Sequence, residues 1–522
     1  MSRLLLPTAL ALAGLLAVPV RGAEVAIADV EVGFGGAYRA GEWTPLAVRL
    51  TGGDSLPDSV VVETVTADAE GSTAVRLSEP LAVERGGSEG VVRSVFQSGR
   101  LGSDLTVRVR DADGTPLAER RFRAESASLP AALPKGQTLW ITAGGFRPSA
   151  AEDSEPALPL PEEVTAAALA GELPSERLAY AAADLLIVRG DLAATAEQAE
   201  AIRRWVAGGG HLAIALGRFT GEFRSGPLAG WMPIEVGETI PLRDLSAFEQ
   251  FRRSARVRVA RLGPPAEVIL TSADGPLVAR SPYGFGRVTL FAMDLDAPPF
   301  STWPGLPDLI RKALFEAETA GRGRRITSPG VTDLATQLVR AEENFPSLER
   351  PTVGSALLLL LVYAAVVGPL DYLLVHRVLR RPALTWLTLP LIVAGAAWWL
   401  HGAAVAANGT ASRLGELHLV DVDAESGTLR GRTAVTLYAA DSTRAGLAVA
   451  PQTGSAWGRG GERAVPHLAW FAPPEATFGG TFREASGGLF RPEYRLPAPG
   501  GAAEAEAVPL LVWASRHFEA TW

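Results

Sequence analysis

The stretch DLLIVRGDLAATAEQAEAIRRWVAGGGHLAIALG, residues 184–217, decides how the middle of the chain folds. Asp184 to Val188 is a short apolar run that closes on Gly190, the pattern of a strand buried on both faces. Ala194 to Ala207 then places Ala199, Ile202, Trp205 and Val206 on one side of a helix and stops at Gly208-Gly209-Gly210. His211 to Leu216 is a second apolar run. Strands that alternate with helices imply a largely parallel sheet covered on both faces.

The same grammar extends outward. Thr138 to Thr142 reads as a strand ending at Gly144-Gly145, Glu162 to Ala170 as a helix, Arg287 to Met293 as a strand and Leu306 to Ala317 as a helix, so an α/β unit is expected over 136–320. Ligands of such sheets bind beyond the carboxyl ends of the strands. That rule nominates Gly144, Gly145, Arg189, Gly190, Gly217, Arg218, Asp294 and Asp296 as the rim.

Two chemistries are conceivable there. Arg189 and Arg218 could hold an anion, although solvated arginines are the commoner case in so arginine-rich a chain. Asp294 and Asp296 share a face if the strand extends through them, and a carboxylate pair is the minimum for a divalent cation in a metal-assisted hydrolase. Against this, Asp296 precedes Ala297-Pro298-Pro299 and can simply cap that turn. His211 sits at the strand entry, opposite the rim, as a surface or packing residue, and six scattered histidines give no metal-ligand spacing. Tyr283-Gly284-Phe285-Gly286-Arg287 falls short of a dinucleotide-binding glycine motif.

Residues 184–217 also resemble the central stretch of class I glutamine amidotransferase-like domains, which are flavodoxin-like. In catalytic relatives the second strand leads into a cysteine elbow of the pattern Ala-Ile-Cys-His-Gly. Laid on Ala213-Ile214-Ala215-Leu216-Gly217, the resemblance puts Ala215 at the nucleophile and Leu216 beside it. A methyl group attacks nothing, so the resemblance implies a pseudoenzyme without thioester chemistry. The chain contains no cysteine, which also excludes disulfides, a lipobox anchor and thiolate metal sites.

Before this unit, residues 24–125 carry short alternating segments separated by turns: Val25 to Val32, Leu46 to Leu50, Val60 to Val65, Thr73 to Leu77, Val91 to Phe96, Leu105 to Val109 and Ala118 to Phe122. This spacing predicts an immunoglobulin-like β-sandwich, with Trp43 as a core anchor. Gly86-Gly87-Ser88-Glu89-Gly90 matches the spacing of a nucleophile elbow, and Gly53-Asp54-Ser55-Leu56 the opening block of GDSL esterases. Neither is followed by the helix that its chemistry requires, and both read as turns. At the start, Arg3, the apolar run Leu4 to Val18 and small residues at Gly22 and Ala23 read as a signal peptide, 1–22, cleaved after Gly22.

After a linker with a short helix, 324–350, two runs lack charge almost entirely. Residues 353–375 and 383–407 are each long enough, at about 1.5 Å per residue, to cross a hydrocarbon core of roughly 30 Å. The loop 376–382 between them holds Arg377, Arg380 and Arg381, which assigns it to the cytoplasm and both large flanks to the outer side. Trp386, Trp398 and Trp399 fall where interfacial aromatics are expected. Asp371 is the carboxylate within the first span. It is a functional candidate by position, while its nearness to Arg377 and Tyr372 favours a residue that snorkels or pairs at headgroup level. His401 reads as interfacial.

Residues 410–522 form a β-rich region, with strands at Leu414 to Val422, Thr428 to Tyr438 and Ala445 to Val449. The chain stops on Leu510 to Trp522, itself strand-like, which raises the expectation that the sequence is a fragment. Across 522 residues, 49 basic side chains stand against 57 acidic ones and the basic residues are scattered, so no nucleic-acid partner is expected. The layout resembles bacterial membrane proteins without a settled activity. The expectation is a multidomain, two-pass protein of the cell membrane, the inner one in a Gram-negative cell. It is read as non-catalytic and without cofactors, its outer domains binding an envelope protein or another ligand. The alternatives are a hydrolase built on Asp294 and Asp296 and a subunit of an envelope transport assembly that uses Asp371.

Overall fold

The computed structural model describes residues 25–134, 137–144, 146–148, 157–158, 164–169, 171–243, 258–315, 352–450, 466–471, 493–498 and 503–522, with single positions at 337, 342 and 345. The fold is β-rich, with several sheets and two long apolar helices. The segment 1–22, Gly145 and most of 324–350 lie outside the described residues.

Alternation of apolar and polar residues builds the first nine strands. They are β1 (Ala26–Val32), β2 (Trp43–Thr51), β3 (Ser59–Ala67), β4 (Thr73–Leu77), β5 (Leu81–Ala82), β6 (Glu84–Gly86), β7 (Glu89–Gln97), β8 (Leu105–Arg110) and β9 (Pro116–Phe122). β1, β2, β7 and β6 form one sheet, while β4, β3, β8 and β9 belong to another. In β8, Leu105, Val107 and Val109 point inward while Thr106 and Arg108 do not. They meet Val32, Leu46, Val48 and Val92 of the opposing sheet in one core, the packing of a β-sandwich. Gly86-Gly87-Ser88-Glu89-Gly90 is the turn from β6 into β7, and Gly53–Ser55 a single 3-10 turn.

The α/β unit contains β10 (Thr138–Ala143), β11 (Arg147–Pro148), β12 (Ala157–Leu158), β13 (Val164–Ala168), β14 (Leu185–Arg189), α1 (Ala196–Ala207), β15 (His211–Ala215), α2 (Thr220–Ser225), β16 (Val236–Pro241), β17 (Arg258–Leu262), β18 (Glu267–Ser272), β19 (Gly275–Tyr283), β20 (Gly286–Phe291) and α3 (Leu306–Ile310). Its main sheet runs β13-β10-β14-β15-β20-β19-β18. The first five strands are parallel and the last two antiparallel. Thr195 caps α1 reciprocally with Gln198, which fixes its first turn, and Ala199, Ile202, Trp205 and Val206 are buried on the sheet.

The helix expected over Glu162 to Ala170 is instead the edge strand β13, whose Val164 to Ala168 pair one for one with Thr138 to Thr142. Alanine's helical preference is worth only a few tenths of a kcal/mol per residue, about what one β-branched neighbour offsets, and five ladder pairs along β10 outweigh it.

The two long apolar helices are α4 (Val353–Ala365), which continues in wider π-type turns through Leu370 and again from Leu373 to Val378, and α5 (Thr385–Asn408). Pro369 lies in the first wide stretch, where its missing N–H cannot close an ordinary turn. Together they make two candidate spans, Val353–Val378 and Pro382–Asn408.

Beyond them lie β21 (Arg413–Asp423), β22 (Thr428–Tyr438), β23 (Thr443–Ala448), β24 (His467–Trp470), β25 (Glu493–Leu496), β26 (Glu504–Leu510) and β27 (Ser515–Thr521). β21, β22, β27 and β24 form a four-stranded sheet. The stretch Leu510 to Trp522, expected as one strand, is the end of β26, a turn and β27. This region is not a free-standing last domain. β23, β26 and β25 extend the N-terminal sheet through β4, with Glu493 opposite Thr73 and Leu496 opposite Arg76 in parallel register. Ala74 accordingly packs with Val435, Trp470, Tyr494, Val508 and Phe518 in a second core. One sheet serves two sandwiches.

Trp43 also differs from its expected place. It clusters with Val95 of the sandwich, Leu178 and Ala179 of the α/β unit and Ala469 of β24. The Arg76 guanidinium lies 4.3 Å from its ring centre. Trp43 anchors the joint of three bodies rather than one core.

Candidate functional site

The strand order places the site. Counted among themselves, the first parallel strands run 2-1-3-4, so the order reverses between β10 and β14, the switch point beside which such sheets bind their ligands. Gly144 and Arg189 stand there side by side, the Gly144 Cα facing the Arg189 backbone and Cβ.

Arg189, just past the last fully buried residue of β14, reaches across the rim. Its Nε and Nη2 form a fork on Asp191, both at 2.7 Å, and its Nη1 donates to Asp296 Oδ2 at 2.9 Å. These bonds, to Asp191 first, hold the guanidinium more firmly charged, and burial works the other way. Arg218 supplies a second cation. Its backbone N–H donates to Asp294 Oδ2 at 3.3 Å, while its guanidinium lies 3.8 Å from Asp294 and 3.9 Å from Asp296. Both guanidiniums rest on Phe219, each 4.6 Å from the ring centre. The result is a stacked plate of two arginines on one aromatic ring, bordered by three carboxylates.

Backbone geometry makes this approach possible. Gly217 adopts φ +45°, and a Cβ there would lie 2.4 Å from Asp294 Cγ. Burial pushes the Asp294 carboxyl above its ordinary range; the Arg218 amide and guanidinium pull it down, and the neighbouring Asp296 adds to the rise. Asp294 Oδ1 and Asp296 Oδ1 are buried and accept no hydrogen bond.

Several expectations require correction. Asp294 and Asp296 follow the end of β20 at Phe291 rather than ending a strand, with Leu295 buried between them. Asp296 does not serve as a turn cap; its Oδ2 is taken by Arg189. Arg189 is not a solvated arginine. Ala215 and Leu216, the positions the resemblance sets at the nucleophile, are buried at 1% and 0% exposure. Gly190 and Gly217 do line it, Gly190 N–H donating to the Ala215 carbonyl at 2.8 Å. His211 is a buried packing residue whose Nε2 lies 2.9 Å from Thr289 Oγ1. Burial holds its imidazole well below the ordinary range, with Arg287 and Arg280 adding to the effect.

Sequence reasoning missed Asp191 and Phe219. Asp191 stands two residues after Arg189, a spacing at which a fork is common, and Phe219 directly follows Arg218. Among the described residues no group of three or more His, Asp or Glu side chains is placed to hold a metal ion.

Asp371 belongs to the long helix Val353–Val378 and not to this rim. It is 4% exposed within the helical hairpin, and its Oδ1 has no hydrogen-bond partner. Among the described residues no ion pair joins it to Arg377. His401 is exposed on α5.

Residues 26–125 match a family model described as a domain of unknown function, DUF8726. A sequence search among curated proteins finds no match. Among solved structures the chain is similar to exo-β-1,4-mannosidase Op5Man5 from Opitutaceae bacterium strain TAV5, at 18% identity and TM-score 0.22 over 35% of each chain. It is similar to Gan42B, a GH42 β-galactosidase from G. stearothermophilus, at 13% identity and TM-score 0.23 over 75% of this chain and 41% of that one. A β-galactosidase from Bacillus circulans sp. alkalophilus gives 10% identity and TM-score 0.18 over 68% and 34%. The chain thus spans 34% to 41% of the length of these enzymes, and scores of this size say nothing about fold or activity. The family likeness therefore stands on the first sandwich alone, over residues 26–125.

Proposed function

We propose that the chain is a non-catalytic binding protein of the bacterial cell envelope, anchored in the cell membrane by the helical hairpin, with its large domains outside. The observation that carries this reading is the pairing of β25 with β4. Sequence from before and after the hairpin enters one sheet, so both flanks occupy one compartment, and an even number of spans is required. The arginine-bearing loop then assigns the cytoplasm to the hairpin tip. A signal peptide over 1–22 agrees with this orientation.

The α/β unit serves in this reading as an amidotransferase-like scaffold that lost its chemistry. Its 2-1-3-4 strand order suits that family, and Ala215 offers no nucleophile. The rim is the surface on which a partner protein or ligand is recognised. Against a metal-assisted hydrolase stands the pairing of Asp294 and Asp296 with two guanidiniums, which a cation would have to displace.

Protease added from the cytoplasmic side of oriented vesicles should leave both flanks whole, and digestion of either overturns the anchoring. Crosslinking in intact cells should capture an envelope partner through the outer domains. Divalent-ion titration should give the same isotherm for the chain and for its Asp294→Ala, Asp296→Ala variant; a binding step lost in the variant would restore the hydrolase reading. A second reading, a subunit of an envelope transport assembly, draws on the buried, partly unpartnered Asp371. Unchanged flux through the assembly carrying Asp371→Asn removes it.

A further inference from the structure

β21 is the outermost strand of its sheet, joined to β22 through eleven consecutive residue pairs without a bulge. Among the described residues no strand pairs with its other edge. Native edge strands are blunted by charged side chains, proline, bulges or shortness; β21 has no proline, lysine or bulge over its 11 residues and carries its charges at Arg413, Glu416, Asp421 and Asp423. Its side chains Leu414, Val420 and Val422 are also 52%, 49% and 52% exposed. A long, flat edge with apolar side chains beside it is a template for one more strand.

The residue order names the occupant. In an antiparallel pair of two β21 strands centred on His418, Arg413 stands opposite Asp423, Leu414 opposite Val422, Glu416 opposite Val420 and Leu417 opposite Leu419. Opposite charges meet at both ends and apolar side chains meet at Leu414 with Val422 and Leu417 with Leu419, pairs that stabilise an antiparallel ladder, while Glu416 faces Val420 and Gly415 faces Asp421. A surface that complements itself about one point is the signature of an isologous two-fold contact. We propose that two copies of this chain pair edge to edge through β21, with the two-fold axis at His418, merging their four-stranded sheets into one of eight.

The membrane side permits this. The two-fold axis of an antiparallel pair stands perpendicular to the sheet, so two copies anchored in one bilayer need that sheet to lie along the membrane surface. This step rests on the anchoring proposed above; the strand pairing does not. Both ends of the hairpin meet the same sheet. Tyr438 Oη donates to the Asn408 carbonyl at the end of α5, and Thr436 Oγ1 to Glu342 ahead of α4, each at 2.9 Å.

The absence of cysteine gives a clean test in the full-length chain. Single substitutions His418→Cys and Glu416→Cys are oxidised in native membranes. Equivalent residues meet at 418, whereas those at 416 are four positions apart, about 13 Å, beyond disulfide reach. Covalent dimer is expected at least tenfold more from His418→Cys, and equal or absent yields from both overturn the pairing.

A second measurement does not depend on disulfide geometry. The mass of the detergent-solubilised chain should be that of a dimer. Arg413→Asp alone and Asp423→Arg alone should each weaken it about tenfold by setting like charges opposite, and the two together should restore it. A monomer at micromolar concentration, or a dimer indifferent to the swap, overturns the proposal; the first outcome would leave the edge to a strand of another protein.

Discussion

The Arg516 guanidinium closes on the Asp68 carboxylate across 448 residues of sequence, and Tyr494 Oη donates to the same oxygen at 2.9 Å. Asp68 belongs to the turn between β3 and β4, where its Oδ1 also accepts the N–H groups of Glu70 and Ser72. The two side chains are 7% and 1% exposed. A buried polar clasp thus joins the β3–β4 turn of the shared sheet to β27 of the neighbouring four-stranded sheet, tying the first part of the chain to the last.

Removing one partner of a buried pair strands the other charge, which typically costs about 3–5 kcal/mol. Arg516→Met should lower stability by that order in chemical denaturation. Combining it with Asp68→Asn should recover part of the loss, because the turn bonds survive while the orphaned charge is removed. An additive double variant would contradict the clasp.

The clasp also shows where reading the sequence stops. Alternation exposed nearly every sandwich strand, and lack of charge exposed both long apolar helices, because strand faces and apolar helical runs are written in local pattern. The pairing of Glu493 with Thr73 is not local: β25 has four residues, and nothing within them says which edge they will join. β13 escapes local pattern for the same reason, its ladder partner lying some 26 residues upstream. The rim was legible as positions, since parallel sheets present ligands at strand ends. Its pairing was not, because Arg189, Asp296 and Arg218 meet only after β20 is laid beside β15.

Gly217 tests that geometry directly. Gly217→Ala must either hold a left-handed backbone or push Asp294 aside, and the backbone term alone is about 1–3 kcal/mol. The variant should unfold at lower denaturant and lose the Arg218 contact to Asp294, seen as a changed amide shift at Arg218. Wild-type stability would show that the loop relaxes freely.

Asp294 predicts a sign in the pH dependence. Its folded-state affinity for a proton lies above that of the unfolded chain, so it favours folding fully below its ordinary value of 3.8 and progressively less as pH rises through the raised value. Asp294→Asn removes this slope. Melting temperatures of the two proteins, followed from pH 3 to 7 (roughly one decade either side of the carboxylate range), should diverge in favour of the variant as pH rises. Parallel curves would mean that Arg218 compensates the burial in full.

Two histidines bend the curve the other way. His211 and His467 are both held neutral by burial, the latter down to about 4, with Arg177 and Arg76 lowering it further. In the unfolded chain each takes up a proton near pH 6.5. Their stabilising effect is therefore present above that pH and lost as pH falls toward the folded-state values, by up to about 1.4 kcal/mol per pH unit for each. The contribution of His467 levels off near pH 4, where its folded form also binds a proton, whereas that of His211 keeps falling. His467→Asn should flatten the decline between pH 6 and 4 (about the interval separating the two forms), and His211→Asn should do so to lower pH as well. Since His467 begins β24 and its proton would join Arg76 and Arg177 at the joint filled by Trp43, acid should open that joint before it unfolds the α/β unit. Limited proteolysis at falling pH should cut near β24 first, and cleavage beginning within 185–215 would show that the joint is not the acid-labile element.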